Sequence, residues 1–327
     1  METNKPVLSI CIPTYNRAEY LDKSLNSIVS QKEFNSEDVE LVISDNSSTD
    51  NTEEVVNKYK NRYKNIIYSR NGENIRDKNF PHVIGIAHGV YRKLFNDTIL
   101  HNKDSVKAML DTVNENIDKK PVLFFLNRSI GKLHKKKYIV NDFNSFVKTI
   151  SFWITWIGGF GIWDDDYNKI EDKYAGCETH LWQTKVLLEI IVNKEKGFID
   201  NRQLFSIQDI KKKDISYGLY NIFYINYFNI FQYYLNKNIL SINTYNYLRK
   251  HILFDFFLSC IINYKFDYCK FEILPDDNIE QLILNEYRRD SYYSCFCLWL
   301  KYKILEKKIR RFFKEKLYGL SRLFIRD

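Results

Sequence analysis

The sequence has no run of about 20 apolar residues of the kind a membrane-spanning helix needs. Its longest weakly polar stretches, SFWITWIGGFGIW (151–163) and ILFDFFLSCII (252–262), fall well short, so an integral membrane protein is not expected. The order of a secretory signal, basic and then apolar, is also missing: METNKPVLSICIPTYNR runs from a polar start directly into a strand, which argues against secretion. The six cysteines (Cys11, Cys177, Cys260, Cys269, Cys295 and Cys297) show neither CxxC spacing nor the density of a disulfide scaffold. They are expected to be buried free thiols in a reducing cytoplasm. There is no internal repeat and no low-complexity linker. A net charge of +8 is accompanied by no nucleic-acid reading motif, so nucleic acid is not an expected partner.

What is present is an ordinary globular composition over 327 residues, with 45% hydrophobic and 28% charged residues and many aromatics, 24 Tyr and 23 Phe. That length suits a catalytic domain with an appendage. The first 130 residues alternate strand and helix signals at short intervals, the pattern of an α/β domain with a mainly parallel sheet. VLSICI (7–12), VELVIS (39–44), NIIYS (65–69), YRKLF (91–95) and PVLFFL (121–126) read as strands. Leu21, Leu25 and Ile28 make one helical stripe, and Val106, Met109, Leu110, Val113 and Ile117 another. Asp50 and Glu53 have capping-box spacing, which predicts a helix starting near Asn51. In such sheets ligands sit beyond the carboxyl ends of the strands, which singles out Pro13 to Arg17, Asp45 to Asp50 and Asn96 to Thr98. From about residue 214 the chain becomes helical and aromatic-rich, and Pro275, Asp276 and Asp277 read as a helix entry. The expected domains are 1–213, made of a nucleotide-binding half (1–130) and an acceptor half (131–213), followed by a helical region at 214–327.

LSICIPTYNRAEYL, VELVISDNSSTDNTEEVV and NGENI together resemble the family 2 glycosyltransferases, and among them the abequosyltransferase-like enzymes of bacterial surface polysaccharides. The resemblance implies a GT-A fold and a nucleotide-sugar donor. It covers roughly the first 130 residues well and the rest in outline. On it, Pro13, Thr14 and Tyr15 lie against the base and ribose, and Asp45 accepts hydrogen bonds from the base or ribose. Arg17 and Arg76 are placed to reach the pyrophosphate, Arg76 where the family often has a glycine. Asp50 reads as a helix cap.

The family usually follows its fourth strand with Asp-x-Asp or Asp-Asp-Asp, whose last carboxylate binds Mg²⁺ or Mn²⁺. Here the turn is Asn96, Asp97, Thr98, so the pattern carries over to Asp97 and to no second acid. Three readings stand: a weakly held metal at Asp97 with Asn96 and Thr98 as neutral ligands; metal-independent transfer with Arg or Lys countering the diphosphate; and a degenerate scaffold that binds sugar nucleotide or glycan without transfer. Asp164, Asp165 and Asp166 form a richer acidic run, and they are expected to make an exposed turn rather than a metal site.

An inverting transfer needs a general base, which the family supplies at the start of a helix after the acceptor segment. In YAGCETHLWQTKVLLEII that position is Glu178, with Thr179 as a cap and His180 as a second candidate for base or metal ligand. Thr179 stands where some relatives have an Asp. Trp153, Trp156 and Trp163 offer themselves equally as stacking faces for a sugar acceptor and as core.

Residues 301–327 hold ten Lys or Arg against Glu306, Glu315 and Asp327. Leu305, Ile309, Phe313, Leu317, Leu320 and Phe324 recur at helical spacing, so the tail reads as a basic amphipathic helix. Its expected partner is an anionic membrane surface, another subunit or the helical domain of its own chain. The combined expectation is a cytoplasmic glycosyltransferase, peripheral on the inner face of the cell membrane, that builds a capsule, lipopolysaccharide or other surface glycan on a glycan or lipid-linked acceptor.

Overall fold

The computed structural model describes residues 5–127, 133–194, 196–210, 218–266 and 278–323, with side chains to residue 313. Its elements in chain order are β1 (Leu8–Thr14), α1 (Ala18–Val29), β2 (Val39–Asp45), α2 (Thr52–Lys60), β3 (Ile66–Arg70), α3 (Asn79–Gly85), β4 (Tyr91–Leu94), β5 (Ile99–His101), α4 (Ser105–Asn116), β6 (Val122–Phe125), β7 (Lys137–Val140) and α5 (Phe143–Ile150). There follow β8 (Gly161–Trp163), α6 (Asp164–Lys169), α7 (Trp182–Val192), β9 (Gly197–Asp200), β10 (Phe205–Ile207), α8 (Tyr227–Asn236), α9 (Ile242–His251), α10 (Leu258–Lys265), α11 (Ile279–Tyr287) and α12 (Tyr293–Leu323). Two compact units result, Met1–Lys211 with Ile222–Thr244, and Lys212–Asn221 with Tyr245–Asp327.

The first unit is built on a five-stranded sheet of order β3-β2-β1-β4-β8. Every residue of β1, β2 and β4 is buried; β1 reads as a nearly continuous apolar run because parallel strands are covered on both faces, whereas β4 buries Arg92 and Lys93. Leu8, Ile10 and Ile12 point to one face, where Leu21, Leu25 and Ile28 of α1 and Met109 of α4 join them in one core. α3 packs on β1, β2 and β4 with Val83 and Ile84 buried. β8 closes the sheet antiparallel to β4, Tyr91 opposite Trp163.

The register aligns the functional ends. β1 pairs with β2 from Leu8 and Val39 to Thr14 and Asp45, and with β4 from Leu8 and Tyr91 to Cys11 and Leu94. Continued past the end of β4 with the same offset, Thr14 lies beside Asp97.

Some expectations are corrected. The strand at 121–126 is real as β6, but it belongs to a separate sheet of order β6-β9-β7. Asp164–Asp166 do not make an exposed turn: they form the first turn of α6, with Asp164 and Asp166 buried. Among the described cysteines no disulfide forms and Cys11, Cys177 and Cys260 are buried, yet Cys295 is exposed and Cys297 only half-buried. Cys269 and the helix entry at Pro275 lie outside the described residues.

In the second unit Phe296 of α12 meets Phe254 edge-on with ring centroids 5.4 Å apart, and the Tyr287 hydroxyl donates to the Arg249 carbonyl at 3.1 Å. The tail expected to be helical is continuous α12. Its Leu317, Leu320 and Phe324 lie beyond the described side chains.

Candidate active site

At the carboxyl edge of the sheet, β1 ends in Pro13 and Thr14, and the chain turns through Tyr15, Asn16 and Arg17 into α1. Tyr15 is exposed and presents its ring to solvent. The Thr14 hydroxyl donates to Asp97 Oδ2 at 2.9 Å, and the Arg17 guanidinium donates to Asp97 Oδ1 at 3.1 Å. Asp97 is 3% exposed, and burial raises its carboxyl pKa against the opposing pull of Arg17 and Thr14. The structure thus brings together three residues singled out in the sequence. Asn96 is half-buried in the same turn, its carbonyl accepting from Ile99 N.

Asp45, at the end of β2, is fully buried. Its Oδ1 accepts from Ser48 N at 2.9 Å, its Oδ2 from the Tyr68 hydroxyl at 2.9 Å, and Arg70 Nε stands 3.6 Å away. Burial and the bond to Asp45 push the Tyr68 hydroxyl pKa well up. Sequence reasoning missed Tyr68 and Arg70; the signal was their place in β3, whose residues pair with β2 up to Arg70 beside Asp45.

The strand-end loops are locked to one another. Asn16, with φ of 50°, accepts from Thr49 N at 2.7 Å through its side chain, and its own N donates to Ser48 Oγ at 2.9 Å. Asp50 accepts from Thr52 N through Oδ1 and from Ala18 N through Oδ2. It therefore serves the starts of both α1 and α2, a wider role than the expected capping box. Asn46 lies within the Asp45 to Asp50 stretch singled out in the sequence, though the sequence pattern assigns it no role. It binds Asn74 Oδ1 at 2.7 Å and the Arg76 carbonyl at 3.3 Å, and accepts from Ile75 N at 2.8 Å, so one side chain holds the NGENIR loop.

Arg76 is exposed and has φ of 51°, the left-handed region that favours glycine. This accounts for the glycine that the resemblance leads one to expect there, and marks a charged side chain kept at a backbone cost of about 1 kcal/mol. Next to it, Asp77 Oδ2 lies 2.8 Å from His180 Nδ1. Burial raises the Asp77 pKa, with His180 opposing.

Glu178 sits in a short 3₁₀ turn, Cys177–Thr179, ahead of α7. It is exposed, and its Oε2 accepts from Gly176 N at 3.0 Å. Gly176 has φ of 96°, and a Cβ there would come within 2.7 Å of Lys185 Cδ, so glycine is required for the approach to this turn. Thr179 Oγ1 accepts from Leu181 N, but Leu181 itself is the N-cap of α7 and no side chain caps that helix, so the expected cap is corrected.

Of the three tryptophans, Trp163 is 1% exposed, packs edge-on against Tyr91 and donates Nε1 to the Pro121 carbonyl; it is core and cannot stack on an acceptor. Trp153 and Trp156 are half-buried. The segment carrying Trp156 is fixed by buried Lys93, whose ammonium donates to the carbonyls of Leu94, Gly158 and Phe160. Three carbonyls match the three N–H bonds of the ammonium.

The residues around Asp97 do not fit a divalent cation as they stand. Both carboxylate oxygens already have donors, one of them a guanidinium that would repel a second cation, and Thr98 replaces the last acid. Among the described residues no group of three His, Cys, Asp or Glu is arranged to hold an ion. Asp164 is spent on Arg92 and Lys5, Asp165 on Lys120, and Asp166 on Lys194.

A mainly parallel sheet with an antiparallel edge strand, its strand-end loops latched to one another, is an α/β architecture of the GT-A type. Residues 9–161, a little under half of the chain, match the model of Glycosyl transferase family 2. The chain is 47% identical over 108 residues to abequosyltransferase RfbV of Salmonella typhimurium, a match covering 32% of each protein. It is 34% identical over 86 residues to a poly(ribitol-phosphate) beta-glucosyltransferase of Bacillus spizizenii, covering 26% of this chain and 13% of that protein. These matches span a third or less of the relatives' length. Two solved structures share the fold: S. aureus TarS 1–349 in complex with UDP-GlcNAc has a TM-score of 0.58 at 16% identity, covering 93% of this chain and 91% of that one. Mannosyltransferase PcManGT from Pyrobaculum calidifontis, in complex with GDP-Man and Mn²⁺, has a TM-score of 0.54 at 13% identity, covering 94% and 89%.

Proposed function

We propose that the protein is an inverting glycosyltransferase that moves a sugar from a nucleotide-sugar donor to a bacterial surface glycan or its lipid-linked precursor, presented at the inner face of the cell membrane. The observation that carries this reading is the Thr14–Asp97–Arg17 cluster at the donor end of a family 2 sheet. Support for sugar transfer comes from relatives named as an abequosyltransferase and a poly(ribitol-phosphate) beta-glucosyltransferase, the second of which names a polymer acceptor. None of them supports the scaffold alternative.

On this reading Pro13, Thr14 and Tyr15 line the nucleoside, while Asp45 acts from beneath, held by Tyr68 and Arg70. Arg17 and Arg76 face the diphosphate. The acceptor oxygen attacks the anomeric carbon, the bond from that carbon to the diphosphate oxygen breaks, and the nucleoside diphosphate leaves with its added charge countered by Arg17. Asp97 aims the guanidinium. Glu178 takes the acceptor proton, with Oε2 fixed by Gly176 N. A second reading of the base rests on a specific contact: His180 is oriented by Asp77 in the way a base is oriented by a buried carboxylate.

Turnover of a panel of UDP, GDP, dTDP and CDP sugars tests the proposal. Nucleotide release from at least one donor is expected, undiminished by EDTA; donor binding with no release or transfer in the presence of lipid-linked acceptors would sink it. Glu178→Gln should abolish transfer and leave donor binding intact. If transfer instead survives in Glu178→Gln and is lost in His180→Ala with removal of the acid limb of the pH profile, the base is His180.

A further inference from the structure

α12 has two apolar faces, one buried against its own unit and one largely exposed. At 100° per residue, Phe296 and Leu300 fall on one side of the helix. Both are buried, and Lys307 on the same side donates to Asn263 Oδ1 of α10 at 3.0 Å. The opposite side carries Leu298, Tyr302, Leu305, Ile309, Phe312 and Phe313, each 47% to 69% exposed. This row spans about 22 Å of helix at 1.5 Å per residue. At its start the Trp299 and Tyr302 rings stack with centroids 5.3 Å apart, and Lys303 Nζ lies 5.1 Å from the Trp299 ring. Large apolar side chains aligned on an exposed face mark an interaction surface.

Charge decides the occupant. Between Tyr293 and Phe313 there are six Lys or Arg and a single acid, Glu306. Lys301 and Lys308 lie along one flank of the row; along the other stands Glu306, bonded to both Lys303 and Arg310, which lie farther round toward the buried side. Pairing this face with a second copy of itself across a two-fold axis would set basic flanks against basic flanks. A surface of anionic lipid headgroups over acyl chains complements both the row and its flanks. None of the described helices is long and apolar enough to cross a membrane.

We infer that the Leu298-to-Phe313 face of α12 is a membrane-docking surface that seats in an anionic bilayer, apolar row inward and basic flanks at the headgroups. This deepens the proposed function, on which it rests only for the identity of the membrane. Vesicle binding is read without donor or acceptor, so the two can fail separately.

The test uses the full chain with vesicles of phosphatidylglycerol and phosphatidylcholine, or of phosphatidylcholine alone, in a flotation assay at low and high salt. Binding is expected to the anionic vesicles only, and to fall at least tenfold in high salt. The Leu305→Glu/Ile309→Glu double variant, altered at exposed positions, should lose binding at least tenfold while keeping the wild-type circular dichroism and melting temperature. Lys301→Glu/Lys308→Glu should bind several-fold more weakly. Equal binding of wild type and double variant to anionic vesicles would overturn the inference. So would a wild-type dimer in light scattering that the same double substitution dissociates, which would give the face to a second copy.

Discussion

Two groups of acids hang from the same short strand and have opposite fates. Past the carboxyl end of β4 stands Asp97, a lone acid in the donor turn; beside its start stand Asp164, Asp165 and Asp166. The second group has the density expected of a metal site, yet each member is consumed by a basic partner of the scaffold, with Arg92 and Asp164 both buried. Asp97 is held instead by a hydroxyl and by an arginine that is 35% exposed and faces the open edge of the sheet. The difference teaches that an acid's partner and outlook, more than the number of acids, decide whether a carboxylate is consumed by the scaffold or stands at the open edge of the sheet, where the proposed function uses it.

The comparison can be broken most directly at Asp164. Asp164→Ala leaves Arg92 buried without its counter-ion and should cost about 3 to 5 kcal/mol in denaturant unfolding, with nucleotide release by the remaining folded enzyme within about twofold of wild type. The next largest effect belongs to Asp97→Asn, which should lower turnover about 100-fold, equivalent to about 2.7 kcal/mol of transition-state stabilisation. Its stability at pH 7 should equal or exceed that of wild type. The sign follows from the raised pKa of Asp97: the protonated acid is favoured in the fold, so its contribution is fully present below the unfolded pKa and is lost as pH rises through the folded value. The stability gap between wild type and Asp97→Asn should therefore close on acidification, which melting curves across pH will show. Arg17→Lys keeps the charge but loses the planar fork, and a roughly tenfold loss in kcat is expected. Asp165→Ala removes an exposed pair and should change stability by less than about 0.5 kcal/mol. The smallest expected effect is that of EDTA on turnover, where no change is the outcome; a chelator-sensitive enzyme would mean that an ion displaces Arg17 from Asp97.

Periodicity made much of this molecule legible in advance. The buried runs at β1 and β2 and the stripes of α1 and α4 follow from side-chain spacing alone, and the ends of those strands located Thr14, Asp45 and Asp97. What local pattern does not carry is partnership between distant residues. Nothing in PVLFFL says that it pairs with β9 rather than with the main sheet, and nothing beside Asp45 announces Tyr68 and Arg70. Arg17 and Asp97 were each singled out, but their ion pair spans 80 residues and depends on the β1–β4 register. The acidic run was misread as an exposed turn because Arg92 and Lys194, which neutralise it, lie far away in sequence.

The latches formed by Asn16 and Asn46 bear on how a donor would be received. With the loops after β1, β2 and β3 already tied to one another before anything binds, few backbone torsions remain to be frozen on arrival. Ligand capture at this edge should thus carry a small entropic penalty of ordering. Calorimetry should accordingly show a heat-capacity change no larger than the buried ligand surface itself accounts for, and amide exchange in these loops should be slow even in the empty protein.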